Sequence, residues 1–122
     1  MEFFKIIDKQ TSENQIQENV TPQHVANFTE TMLFLSGNTS KFKSATLWGE
    51  FTISYQKIKG GVRFSLIECP NALSWTITTG YPPKRDGIVL HCTINRTQKP
   101  QEFINEVHEF LAEWEQGIMN IF

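Results

Sequence analysis

Between residues 46 and 95 apolar and polar side chains alternate with a period of two, which predicts strands rather than helix. Leu47, Phe51, Ile53 and Tyr55 interleave with Trp48, Glu50, Thr52, Ser54 and Gln56. The pair Gly60–Gly61 then tolerates the positive φ of a hairpin turn. Val62, Phe64 and Leu66 follow on one side, with Arg63, Ser65 and Ile67 on the other. Trp75 and Ile77 alternate with Ser74, Thr76 and Thr78, and Ile88, Leu90, Cys92 and Ile94 with Val89, His91, Thr93 and Asn95. Four strands with short connections predict an antiparallel meander.

Helical spacing brackets this region. Thr21 and Pro22 open a stretch in which Val25, Phe28, Met32 and Leu35 recur on one face, up to Gly37. After Pro100, the residues Phe103, Ile104, Val107, Phe110, Leu111 and Trp114 form a wide apolar stripe, backed by Glu102, Glu106, Glu109, Glu113 and Glu115. Gly117 is the expected end of that helix. Residues 1–7 suit a short extra strand, and 8–20 read as a polar, mobile loop.

One strand face is almost wholly apolar and the other is rich in Ser and Thr, so the sheet is expected to be covered on one side only. The predicted fold is a single α+β domain over 1–122. It has two layers: a four-stranded antiparallel meander with one face covered by an N-terminal helix and a long C-terminal amphipathic helix. The 122 residues suit one domain, and ten Phe, three Trp and two Tyr argue for a packed core.

Net charge is only −2, which excludes any global pull toward nucleic acid or anionic membrane. The charge is uneven, however. Residues 41–99 carry nine Lys or Arg against three Asp or Glu, whereas the C-terminal helix carries five Glu and no base. In a meander the first and third turns lie at the same end. Lys57, Lys59 and Arg63 flank the first turn, and Tyr81, Lys84 and Arg85 sit in "TTGYPPKRDG", residues 78–87. These residues predict a basic rim able to take phosphate, nucleic acid or an acidic surface, with Tyr81 as a stacking face. Lysines at hairpin ends also serve simply to keep sheets unpaired.

No catalytic or metal constellation stands out. His91 and Cys92 are adjacent on a strand and point to opposite faces, so they cannot form a nucleophile–base pair. His91 falls on the polar face and Cys92 on the apolar one. Cys69 has no basic activator nearby in sequence, and the two cysteines are too few for a disulfide framework. "KGGVRF" lacks the helix that a phosphate loop needs. Trp48, a large aromatic on the polar face, is a candidate contact residue. The apolar end "IMNIF" either folds back or crosses to a second copy.

No segment approaches the roughly 20 apolar residues of a membrane span, and no secretory signal is evident, so a cytoplasmic location is expected. The leading expectation is a small non-enzymatic interaction or regulatory module, self-associating or bound to a protein partner, with no cofactor. The alternative is a binder of an anionic small molecule or nucleic acid at the hairpin tips, and an enzyme comes third. The binding residues expected are Trp48, Lys57, Lys59, Arg63, Tyr81, Lys84, Arg85 and His91.

Overall fold

The computed structural model describes residues 1–95 and 99–122; Arg96, one of the nine cations counted above, lies outside them. The strands are β1 (Glu2–Ile7), β2 (Leu33–Gly37), β3 (Lys41–Thr46), β4 (Gly49–Ile58), β5 (Gly61–Leu66), β6 (Ser74–Thr79) and β7 (Ile88–Thr93). They form one antiparallel sheet of seven strands in the order β1-β7-β6-β5-β4-β3-β2. Strands β2 to β7 follow one another as a meander, and β1 closes the far side by pairing with β7, Phe3 opposite Cys92 and Ile7 opposite Ile88. The link from β1 to β2 carries helix α1 (Glu13–Asn19) and a 3-10 turn over Pro22–Asn27, and the chain ends in helix α2 (Gln101–Ile121).

The α+β class stands, but the four-stranded meander is corrected to seven strands. The expected helix from Thr21 is where the count went astray. Its apolar spacing is met by a single 3-10 turn that buries Val25 and Phe28, followed by an extended segment. Glu113 of α2 accepts hydrogen bonds from the Thr29 hydroxyl (3.1 Å) and the Glu30 amide (3.2 Å), and so holds the chain out of helix. Leu33–Gly37 then pairs with β3, which had gone unseen because Phe42 is its one large apolar residue. Asn38 sets the intervening turn, its Oδ1 accepting from the amides of Ser40 and Lys41.

The expected strand from residue 46 divides at a two-residue turn, Leu47–Trp48, between β3 and β4. Part of the expected mobile loop 8–20 is helix α1. Ser12 caps it by accepting from the Gln15 amide at 3.2 Å, and Ile16 and Val20 are buried. Helix α2 does not stop at Gly117 but runs on to Ile121.

Both helices lie on one face of the sheet. Ile53, Phe64, Trp75, Ile77 and Leu90 point into this side and are buried. Phe110 and Trp114 of α2 pack on Trp75, with ring centroids 4.9 and 5.8 Å away, and Phe28 stacks on Trp114 at 5.3 Å. Burial of each such ring contributes roughly 1.5–3 kcal/mol. Helix α1 docks at the β4–β5 end, where the Tyr55 hydroxyl donates to the Val20 carbonyl at 2.6 Å. Among the described residues no helix lies on the opposite, outer face.

Candidate functional site

Cross-strand pairing sets out the outer face in rows. One runs Phe4, His91, Thr76, Arg63, Gln56 across β1, β7, β6, β5 and β4. The next runs Ile6, Val89, Thr78, Gly61, Ile58. Where the first rows meet the β6–β7 connection, Phe4, Lys59, Thr76, Thr78, Tyr81 and His91 line a shallow depression of about 260 Å³. Phe4 lies on His91, 4.3 Å between ring centroids and nearly parallel, and His91 Nε2 is 3.0 Å from the Glu2 carboxylate. Phe4 is 55% exposed, Ile6 39% and Tyr81 38%. No other part of the β5–β7 outer face, which is mostly Ser, Thr and Arg, carries exposed large apolar groups.

The expected proximity of the first and third turns is present. The Tyr81 hydroxyl donates to the Lys59 carbonyl at 3.1 Å, and the Thr79 amide to the Gly60 carbonyl at 2.9 Å. Gly60 has φ of +90°, and a Cβ there would fall 2.5 Å from the Tyr81 ring, so this packing needs glycine.

The five cations nevertheless do not gather as expected. Arg63 points from the middle of the outer face, its Nε donating to Ser74 Oγ at 3.1 Å. Lys57 shares the side of Tyr55 and borders the Asn38–Ser40 turn instead. Lys84 is 3.5 Å from Asp8 and 3.3 Å from Asp86. The Asp86 hydrogen bond, with the field of Asp8, raises its pKa above the usual lysine value. Glu13 adds a carboxylate at the first turn, accepting from the Gly60 amide at 2.8 Å. Arg85 is exposed at the tip. Asp8 and Glu13 stand within the expected mobile loop and its approach, so their place beside the turns had no signal in strand periodicity.

Trp48 is corrected more sharply. From the Leu47–Trp48 turn its ring reaches over to α2, 5.7 Å from Phe103 and 5.3 Å from Phe110. It helps enclose an apolar cavity of about 130 Å³ with Phe51, Leu66, Cys69, Leu73 and Phe103. Its indole N–H is buried without a partner among the described residues, as are those of Trp75 and Trp114. Trp48 therefore belongs to the rim of the core and not to an open face.

Of the expected set, the structure unites Lys59, Tyr81 and His91, with Arg63 two strands from His91 along the same row. It adds Phe4 and Ile6. The stretch "EFFKII" held the signal for both: on a strand, Phe3 and Ile7 turned inward oblige Phe4 and Ile6 to face out.

Chemically, the depression offers an aromatic surface, hydroxyls and a carboxylate–imidazole pair, with Lys59, which has no ion-pair partner among the described residues. Cys92 is on the opposite side, buried, its thiol pushed up to about 12 by desolvation, and is no nucleophile for His91. Among the described residues no group of three His, Cys, Asp or Glu could hold a metal ion, and no helix is long and apolar enough to cross a membrane. No family model matches the chain, and no curated protein matches it either.

Proposed function

We propose that this protein is a non-enzymatic protein-interaction module that self-associates through the β1 end of its outer sheet face. The observation that carries this reading is the exposure of Phe4, Ile6 and Tyr81 at the β1 end of a face that is mostly hydroxyls and charges through β5 and β6. Exposed apolar groups grouped in one place, rimmed by polar ones, mark contact surfaces rather than ordinary surface scatter. Aromatic rings supply much of the energy of such contacts at a low entropic cost.

The anionic-ligand reading has less support. Asp8, Glu13 and Asp86 stand among the rim lysines, and Lys84 already has two carboxylate partners.

Sedimentation velocity from low micromolar to near-millimolar protein tests the proposal. A weight-average mass that rises with concentration, and rises less in Phe4→Ser, is expected. A monomer throughout refutes it.

A further inference from the structure

Resting on that reading, we propose that the partner is a second copy of this chain, joined β1 to β1 about a twofold axis at Phe4, so that two seven-stranded sheets become one continuous sheet.

The hydrogen-bond pattern of β1 points to this register. Met1 and Ile94 exchange both backbone bonds, the Met1 nitrogen donating to the Ile94 carbonyl and the Ile94 amide to the Met1 carbonyl, each at 3.0 Å. Antiparallel pairs alternate between bonded and non-bonded. Residues 1, 3, 5 and 7 therefore turn their N–H and C=O toward β7, and Glu2, Phe4 and Ile6 turn theirs away. The stacking of Phe4 on His91 agrees, because side chains are closest across non-bonded pairs. No backbone partner of these three residues exists among the described residues.

Three outward residues spaced by two are self-complementary. With Phe4 opposite the partner's Phe4, Glu2 falls opposite the partner's Ile6 and Ile6 opposite the partner's Glu2. Every outward group is then paired, each residue pair exchanging two hydrogen bonds. A slip of one residue sets the outer face against the helix-covered face. Moving the centre to Lys5 leaves Glu2 without a strand partner and puts Lys5 against its own copy, a like-charge pair. Moving it to Phe3 leaves Ile6 unpaired.

Charge favours the Phe4-centred register on the other face too. Lys5 lies on the helix side of β1 and is carried opposite the partner's Phe3. Phe3 meets His108 of α2 edge-on at 5.1 Å. Helix α2 has five Glu and no Lys or Arg, so each Lys5 is set opposite a strand that packs on a helix of net negative charge.

The other edge suits pairing less well. In β2 the register slips between Phe34 and Ser36, a bulge that interrupts a regular ladder.

Disulfide trapping in a Cys69→Ala background tests both edge and register, since Cys92 is buried. Phe4→Cys should cross-link to itself under mild oxidation, because facing Cα atoms would lie about 5.5 Å apart, within disulfide range. Glu2→Cys alone and Ile6→Cys alone should not, because each is displaced from its own copy by four residues, about 13 Å along the strand. An equal mixture of these two variants should cross-link, and it keeps Phe4 in place. Ile6→Pro, which deletes an N–H facing away from β7, should abolish cross-linking and dimer while leaving the monomer's circular dichroism intact.

Cross-linking of Ile6→Cys with itself overturns the Phe4-centred register, and cross-linking of Leu33→Cys or Leu35→Cys in a protein that still dimerises overturns the β1 interface; both leave self-association standing. A monomer at every concentration removes both.

Discussion

Gly117→Ala reverses the usual sign of its substitution. Replacing glycine by alanine inside a helix normally stabilises by about 1 kcal/mol. Gly117 is inside α2, one turn beyond Trp114 at the end of the apolar stripe, and has no positive φ to satisfy. A Cβ on it, however, would lie 2.2 Å from the Phe28 carbonyl oxygen and 2.6 Å from the Phe28 Cα. These are backbone atoms at the end of the 3-10 turn, so no side-chain rotation relieves the clash. The turn must move away from α2, which loosens the Phe28–Trp114 stack at 5.3 Å and exposes part of a ring that is now 3% accessible. Overpacking of this kind costs about 1–3 kcal/mol, and partial exposure of a Phe adds a fraction of roughly 1.5–3 kcal/mol. After the propensity gain is subtracted, the net expected loss is about 1–3 kcal/mol. Urea denaturation followed by circular dichroism measures it, with Trp fluorescence reporting the Trp114 environment. Gln116→Gly, at an exposed neighbouring position, serves as the control and should lose about 1 kcal/mol from propensity alone. A Gly117→Ala protein as stable as the wild type, or more so, refutes the close approach of turn and helix.

Burial pushes Cys92 from its ordinary 9.0 to about 12 and Tyr55 from 10.0 to about 12. Each stays neutral in the fold over a window in which the unfolded chain ionises. Stability should therefore be independent of these groups below pH 9.0 and fall as pH rises toward 12, by up to about 1.4 kcal/mol per pH unit for each. Urea midpoints at neutral pH and midway through that window check this, and Cys92→Val should lose its share of the decline; an unchanged decline in that variant refutes the assignment. At the hairpin rim, filter retention of single-stranded nucleic acid should be absent at low salt, because three carboxylates stand among the cations. Salt-sensitive retention that Lys59→Ala and Arg85→Ala reduce would revive the anionic-ligand reading.

Where side chains alternate strongly, the chain announces its structure. Val62, Phe64 and Leu66, Trp75 and Ile77, and Leu90 and Cys92 all alternate and all face the helices, and the stripe from Phe103 to Trp114 is a helix. The elements that escaped notice lack that contrast. Strand β3 buries Phe42 and Ser44 between lysines, and α1 buries Ile16 alone among polar neighbours. Their formation depends on partners outside the segment itself: β4, across a two-residue turn, for β3, and the distant Ile58 and Gly61 carbonyls, which accept from Gln17, for α1. Such pairings leave no periodic mark. The same limit governs the site. Turn order alone brought Lys59 and Tyr81 together, but the carboxylates beside them arrive on α1 and its approach. Trp48 was misplaced because a two-residue turn and a continuous strand look alike when Leu47 and Phe51 both sit at apolar positions.

The asymmetry of the sheet bears on where the proposed contact surface lies. All three tryptophans and both helices are committed to one face, and that face is filled. The outer face is free, but through β4, β5 and β6 its side chains are short hydroxyls, Gln56 and an Arg63 tied to Ser74, which offer little area to a partner. Among the described residues, large apolar groups on that face are exposed at its two edges, Leu33 on β2 and Phe4 and Ile6 on β1, and it is at β1 that an unbulged strand leaves backbone donors and acceptors open. Natural edge strands are commonly defended by charge, proline or a bulge. Strand β2 has its bulge, whereas β1 places Phe4 and Ile6 beside its open hydrogen-bonding groups. An edge left open in that way risks uncontrolled pairing unless something covers it. The proposed twofold pairing would cover it and leave no further edge of the same kind, because each copy would consume the other's.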